Sequence, residues 1–238
     1  MSLLDSIVAR ISERGTLLSK HLLTRHTWHL RIQLAATTPL AYTPGQHLRV
    51  VIGHGQQAAM RDMVRTYSVW RYNTTTQVMD IAVCTFSEGP GAQWVQLLQP
   101  GDTIYFRGPE GKFTVDTSAD FYIMIGDPSS FAHLYELYRN LPGKPVYGVL
   151  YANHTDDHFA DIDGFFPFPL TTLPDNPGDA LIQAVETILP LTTGKGMAYI
   201  GGDGRVCVTM SKYFRQLKWS SRQIKTKPFW MPGKRGLE

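Results

Sequence analysis

Hydrophobic and polar positions divide this 238-residue chain into two halves with different periods. In the first half, Trp28, Leu30, Ile32 and Leu34 alternate with His29, Arg31 and Gln33, the period of two that a half-buried strand requires. Further strands are predicted at 17–24, 47–52, 65–71, 78–84 and 104–108, with turns at Pro44-Gly45 and Pro100-Gly101-Asp102. Several short strands at this spacing predict an antiparallel β-barrel. Ahead of them, Leu3, Leu4, Ile7, Val8 and Ile11 recur at helical spacing, and Gly15 closes that helix.

The second half changes period. Phe121 to Ile125 is an unbroken apolar run ending at Gly126, as a strand buried on both faces requires. Phe131, Leu134, Tyr135, Tyr138 and Leu141 then share one helical face. A strand at 146–151, a helical stripe of Leu181, Ala184, Val185 and Ile188, and a strand at 197–200 follow. Val206, Met210, Tyr213, Phe214 and Leu217 mark a last helix. Alternating strands and helices imply right-handed crossovers and a parallel α/β sheet. The expected domains are a barrel at 1–118 and an α/β domain with a basic tail at 119–238, joined near Asp116-Thr117-Ser118. Residues 153–178, rich in Asp, Pro and Gly, read as one long loop.

Composition narrows the function. With 43% hydrophobic residues the chain can bury a core, which excludes disorder. No apolar run approaches the ~20 residues that span a bilayer, and the N-terminus has no secretion-signal pattern, so a cytoplasmic protein without membrane insertion is expected. Cys84 and Cys207 are the only cysteines; they cannot supply the four thiolates of an iron–sulfur cluster and read as reduced thiols. Charge is uneven: residues 153–204 carry 8 acidic side chains and 1 basic, whereas 205–238 carry 9 basic and 1 acidic. The basic segment suits an anionic ligand, a phosphate-bearing cofactor or an acidic protein. No nucleic-acid-binding motif accompanies the charge, so nucleic acid is not an expected partner.

A barrel followed by a parallel α/β domain is an architecture that joins a flavin to a nicotinamide, and two motifs fit flavin contacts. Arg65-Thr66-Tyr67-Ser68 opens a predicted strand, so Arg65 and Tyr67 share one side and Thr66 and Ser68 the other. A guanidinium there can meet a pyrophosphate, an aromatic ring can meet a flat heterocycle, and Ser68 can reach the flavin N5 region. Gly89-Pro90-Gly91-Ala92-Gln93-Trp94 opens a short helix after the next strand, and such a turn exposes backbone N–H groups to an anion. Two separate elements arranged for a diphosphate favour FAD over FMN.

The order of these motifs resembles the siderophore-interacting proteins, the ferric-siderophore reductases of the ferredoxin–NADP reductase superfamily. The resemblance also rests on Tyr42-Thr43-Pro44-Gly45-Gln46-His47-Leu48, Pro100-Gly101-Asp102, Gly108-Pro109, Gly126-Asp127 and the ending Phe229-Trp230-Met231-Pro232-Gly233-Lys234. It covers most of the chain from about residue 16 onward. It implies FAD held by Arg65, Thr66, Tyr67 and Ser68, with Gly89, Gly91, Ala92 and Gln93 on its pyrophosphate. It also places Thr85 beside the flavin, Gly126 and Asp127 on the nicotinamide side, and Trp230 towards the ring system. NAD(P)H or a ferredoxin-like protein is the implied donor, and a ferric siderophore the acceptor. Electron transfer needs no acid–base side chain, so no catalytic residue is assigned. Arg49, Lys112, Lys234 and Arg235 are candidates for a basic ledge under an anionic ferric chelate, with scattered surface charge as the alternative reading.

Two departures stand out. The family continues Gly-Asp with Glu-Thr-Ala, whereas this chain reads Gly126-Asp127-Pro128-Ser129-Ser130, and Cys84-Thr85-Phe86-Ser87 replaces a usual His-Gly. Two rival functions stay open: a flavoprotein reductase that docks a protein acceptor through the basic tail, and a binding module without enzymatic activity. His154 and His158 among Asp156, Asp157, Asp161 and Asp163 mimic a metal cluster, but Pro- and Gly-rich surroundings read as a solvated acidic loop. Gly201-Gly202-Asp203-Gly204 is not a dinucleotide fingerprint, and neither a phosphate-loop motif nor Gly-x-Ser-x-Gly occurs.

Overall fold

The computed structural model describes residues 12–52, 64–86, 89–141 and 143–234. The expected helix at 3–11 and the candidate Arg235 lie outside the described residues. The chain divides between Lys112 and Phe113 into two compact units, each with its own core.

The first unit is a closed antiparallel barrel of β1 (Glu13–Thr24), β2 (Thr27–Leu34), β3 (His47–Val51), β4 (Val64–Asn73), β5 (Val78–Cys84) and β6 (Thr103–Glu110), in the order β1-β2-β5-β4-β3-β6. Alternation packs Leu30, Ile32, Leu48, Val50, Val69, Met79 and Ile81 inside. The Thr43–Gln46 turn has Pro44 at its second position and Gly45 at φ 94° at its third, and the Gln46 N–H donates to the Thr43 carbonyl at 3.0 Å. That is the type II geometry for which only glycine is unstrained at the third position. Helix α1 (Pro90–Leu97) follows β5 and buries Val95 in the barrel core.

In the second unit, β7 (Phe121–Gly126), β8 (Val146–Ala152), β9 (Leu170–Thr172), β10 (Gly196–Asp203) and β11 (Ile224–Trp230) form a parallel sheet in the order β11-β10-β7-β8-β9. Helices α2 (Phe131–Arg139), α3 (Gly178–Ile188) and α4 (Gly204–Gln216) alternate with the strands. β7 and β10 are buried throughout, which explains their unbroken apolar runs.

Three readings of the sequence are corrected. The unit boundary precedes residues 116–119, because Phe113 packs on His133 and Tyr199, and the Thr114 carbonyl accepts from the Tyr199 hydroxyl at 3.0 Å. The basic tail contains a strand, β11, whose Lys225, Lys227 and Pro228 mark it as a sheet edge and conceal its apolar positions. The loop at 153–178 contains β9 and is not simply solvated: Asp161 is 7% exposed and takes the Arg139 guanidinium, while Asp157 is buried. An ion pair that ties a buried loop carboxylate to a helix overrides its hydrophilic composition.

Candidate functional site

In the first unit, strand pairing sets Leu48 opposite Tyr67 and His47 opposite Ser68. The Tyr67 ring stacks on Trp94 of α1, centroids 5.6 Å apart and planes 16° from parallel, and both rings pack against the barrel core. Gly91 lies against the same ring: a Cβ there would stand 2.6 Å from the Tyr67 hydroxyl oxygen and 3.5 Å from Arg65 Cγ. Strand and helix motifs, 26 positions apart between Arg65 and Gly91, therefore meet at one place, with Arg65 and Tyr67 on the same side. Arg65 Nη1 donates to the Val64 carbonyl at 2.7 Å, which orients the guanidinium.

Helix α1 begins at an extended Gly89 with Pro90 in its first turn and no side-chain cap. The Ala92 and Gln93 N–H groups turn back to the Gly89 carbonyl at 3.0 and 3.1 Å. Ala92 is buried, whereas Gln93 is exposed. A guanidinium, a phenol and an uncharged helix start around a glycine cradle have the chemistry to hold a flavin diphosphate. Ser68 is buried and Thr66 half-buried on the same strand. Thr85 is tied by its N–H and its hydroxyl to the His26 carbonyl, at 2.7 and 3.2 Å. Phe86, 51% exposed, follows it and lies on the His26 ring.

Three of the ledge candidates are described, each within its own unit. Arg49 is half exposed and lies 3.7 Å from the Glu110 carboxylate, Lys112 is exposed at the end of the first unit, and Lys234 is exposed in a turn onto the Met231 carbonyl.

In the second unit, Gly126 and Asp127 stand at the carboxyl end of β7, where open α/β sheets bind ligands. The Asp127 carboxylate is buried and fully engaged. Oδ1 accepts from the Ser129 N–H at 2.9 Å and from its hydroxyl, while Oδ2 accepts from the Asp203 N–H at 2.7 Å and from Trp230 Nε1 at 2.9 Å. Burial pushes its pKa above the ordinary carboxylate value, and the Ser129, Trp230 and Asp203 hydrogen bonds oppose that rise. Gly202, at φ 104°, approaches so closely that a Cβ would stand 2.3 Å from Asp127 Oδ2.

Sequence reading missed Asp203, Arg205, Ser129 and Tyr151. Asp203 caps α4, accepting from the Arg205 N–H at 2.8 Å, and pairs with the Arg205 guanidinium at 2.6 Å. That guanidinium also lies over the Trp230 ring at 5.8 Å. An Asp before a helical stripe is a capping signal that could have found the first two. The Tyr151 hydroxyl is buried with no hydrogen-bond partner among the described residues. Burial, then the Asp127 and Asp203 charges, push its pKa far up. Nothing in its strand pattern marks it.

The cysteines separate by environment. Cys207 is buried and its thiol is pushed up to about 12 by burial, whereas Cys84 is half exposed with Thr27 Oγ1 at 3.3 Å. Iodoacetamide at pH 8 is expected to alkylate Cys84 and spare Cys207 until the protein unfolds, because the thiolate is the nucleophile. Peptide mass spectrometry checks this, and labelling of Cys207 first would contradict it. Among the described residues no group of three His, Cys, Asp or Glu side chains is placed to hold a metal ion, and no helix is long and apolar enough to cross a membrane.

Residues 14–115 match the family model of the oxidoreductase FAD-binding domain, so the barrel unit is a FAD-binding domain of the oxidoreductase class. The family resemblance read from the motif order is borne out as well: the described residues have the two-domain fold shared by siderophore-interacting proteins and ferredoxin reductases. A siderophore utilization protein from T. fusca superposes with a TM-score of 0.79 over 95% of both chains, at 18% identity. Ferric vibriobactin reductase ViuB of Vibrio cholerae is 26% identical over 178 residues, 71% of this chain and 65% of that protein. NADH-cytochrome b5 reductase 1 of Cryptococcus neoformans is 28% identical over 148 residues, 59% of this chain and 49% of that protein. The chain thus spans about half to just under two thirds of these curated relatives.

Proposed function

We propose that this protein is a FAD-dependent reductase that takes electrons from NAD(P)H or a ferredoxin-like protein and passes them to the Fe(III) of a bound siderophore, releasing iron in the cytoplasm. The observation that carries the reading is the meeting of Arg65, Tyr67 and Gly91 in a domain of the FAD-binding family. Likeness to a ferric vibriobactin reductase over 178 residues, longer than the barrel unit, supports the ferric acceptor. Arg65 and the α1 start would hold the diphosphate, Tyr67 and Ser68 the flavin ring system, and Thr85 its edge. Bound FAD supplies the change from two-electron to one-electron transfer. Hard, anionic oxygen donors bind Fe(III) more strongly than Fe(II), so each electron delivered loosens the chelate.

The donor would approach the carboxyl edge of β7. There Pro128 removes one backbone N–H and Asp127 already occupies its neighbours, so nicotinamide phosphate binding is expected to be modest. The ferric chelate would meet Arg49, Lys112, Lys234 and Arg235.

The test is anaerobic. FAD-loaded protein is reduced with NADH, NADPH or reduced ferredoxin in parallel, then mixed with anionic and neutral ferric chelates. Rapid flavin reoxidation with stoichiometric trapping of Fe(II) is the expected result. Inertness towards every ferric chelate, with fast reoxidation by a ferredoxin or cytochrome, would favour a protein acceptor instead. Replacing Lys234 and Arg235 by alanine should raise KM for an anionic chelate and flatten its salt dependence. The Debye length shrinks from about 10 Å at 0.1 M to about 3 Å at 1 M salt, so an exposed ledge loses its attraction over that range. Equal kinetics for charged and neutral chelates at low salt would refute the electrostatic ledge.

A further inference from the structure

Lys20, on β1, makes contacts that its place on an exposed strand does not require. Its ammonium donates to three carbonyls at the end of α1: Val95 at 3.2 Å, Gln96 at 3.0 Å and Leu98 at 2.6 Å. An ammonium has three N–H donors, so this end of the helix takes them all. The same nitrogen lies 4.8 Å from the centre of the Trp28 ring, which places an aromatic face under the charge. Carbonyls at a helix end lack intrahelical partners and carry the negative pole of the helix dipole. Lys20 meets both needs from a residue 75 positions away from Val95.

The two ends of α1 differ. At the carboxyl end the Leu98 N–H returns to the Trp94 carbonyl and Lys20 clamps the Val95, Gln96 and Leu98 carbonyls, while the amino end, with no side-chain cap, is where Gly91 abuts Tyr67 and Arg65. The helix has only eight residues, so a clamp at one end sets the position of the other. Its other seating is the buried Ala92 and Val95 and the Trp94 ring on the barrel core, all towards the middle of the helix, while Leu97 at its end is exposed.

We infer that Lys20 is a positioning residue for the cofactor: by fixing the carboxyl end of α1 to the barrel wall, it holds the amino end of the same helix in register with Arg65 for the FAD diphosphate. This rests on the proposed flavin site. Lys20 touches no cofactor in the proposal; it acts through the helix. Loss of the clamp is therefore expected to weaken diphosphate recognition far more than the isoalloxazine seat, whose Tyr67 is carried by β4 and meets α1 only through Trp94 and Gly91.

The experiment compares FAD with riboflavin, which lacks the diphosphate, by flavin fluorescence quenching on apoprotein. Lys20→Met keeps the apolar stem over Trp28 but removes all three donors; it should weaken FAD about tenfold or more while riboflavin affinity stays within about twofold. Lys20→Arg, which keeps a charged donor, should restore most of the FAD affinity. Hydrogen exchange should show faster exchange in α1 amides of Lys20→Met while the barrel strands stay protected. If Lys20→Met proves insoluble, Lys20→Gln replaces it in the same comparison. Equal loss of both flavins, or no loss of FAD, would overturn the inference. Arg65→Ala serves as the reference: unchanged FAD binding in that variant refutes the site itself, whereas loss there without loss in Lys20→Met refutes only the clamp.

Discussion

Arg65→Ala is expected to weaken FAD retention by about 1.5–3 kcal/mol, the scale of a hydrogen bond to a charged group. That corresponds to roughly 10- to 150-fold in dissociation constant. Gly91→Val should do at least as much by a different route. Its Cβ would fall 2.6 Å from the Tyr67 hydroxyl oxygen, and Tyr67 cannot swing aside without leaving its stack on Trp94. Either Tyr67 or α1 must move, and the proposal places Tyr67 at the flavin ring system and the start of α1 at the diphosphate. The two variants should differ in their salt response: Arg65→Ala should flatten the salt dependence of FAD binding, whereas Gly91→Val should keep it. Equilibrium titration of apoprotein at low and high salt measures both. Wild-type affinity in either variant would remove that residue from the site.

Asp127→Ala should destabilise the second unit by about 2–4 kcal/mol, because four donors lose their acceptor together and burial keeps water from replacing it. These are the Ser129 N–H and hydroxyl, the Asp203 N–H and Trp230 Nε1. Urea unfolding followed by Trp fluorescence would report the loss, and a variant as stable as wild type would show that the network does not support the fold. The pH dependence has a definite sign. Burial raises the Asp127 pKa above its unfolded value, so the folded state holds the proton more tightly. Its contribution is then fully present below the ordinary carboxylate value and is lost as pH rises through the folded one. Asp127→Asn does not titrate, so the difference in stability between it and wild type should change with pH in that direction.

Asp127 also shows what its sequence context can and cannot convey. A glycine and an aspartate after an apolar run mark the carboxyl end of a buried strand, a ligand-binding position in open α/β sheets. That the aspartate would be consumed by Trp230, 103 positions away, depends on β11 lying parallel beside β10. The Trp230 indole, assigned by resemblance to the flavin side, donates within the second unit to Asp127.

Local periodicity was enough for the six barrel strands, for β7, β8 and β10 and for α2, α3 and α4, because each buries one face or both, and burial writes its period into the residues; α1 was legible from its glycine-containing turn instead. The same rule explains what escaped it. β9 has three residues, too few to show a period, and β11 is a sheet edge whose lysines and Pro228 interrupt its alternation. The flavin motifs were legible as short strings, since strand alternation and a glycine-opened helix are local properties. Their convergence was not. Gly91 on the Tyr67 hydroxyl, Lys20 under the carbonyls of α1 and Arg139 on Asp161 join residues 22 to 78 positions apart. Such pairings arise only when the barrel closes or the crossovers pack, because side-chain chemistry states what a residue can bind while chain topology decides which partner reaches it.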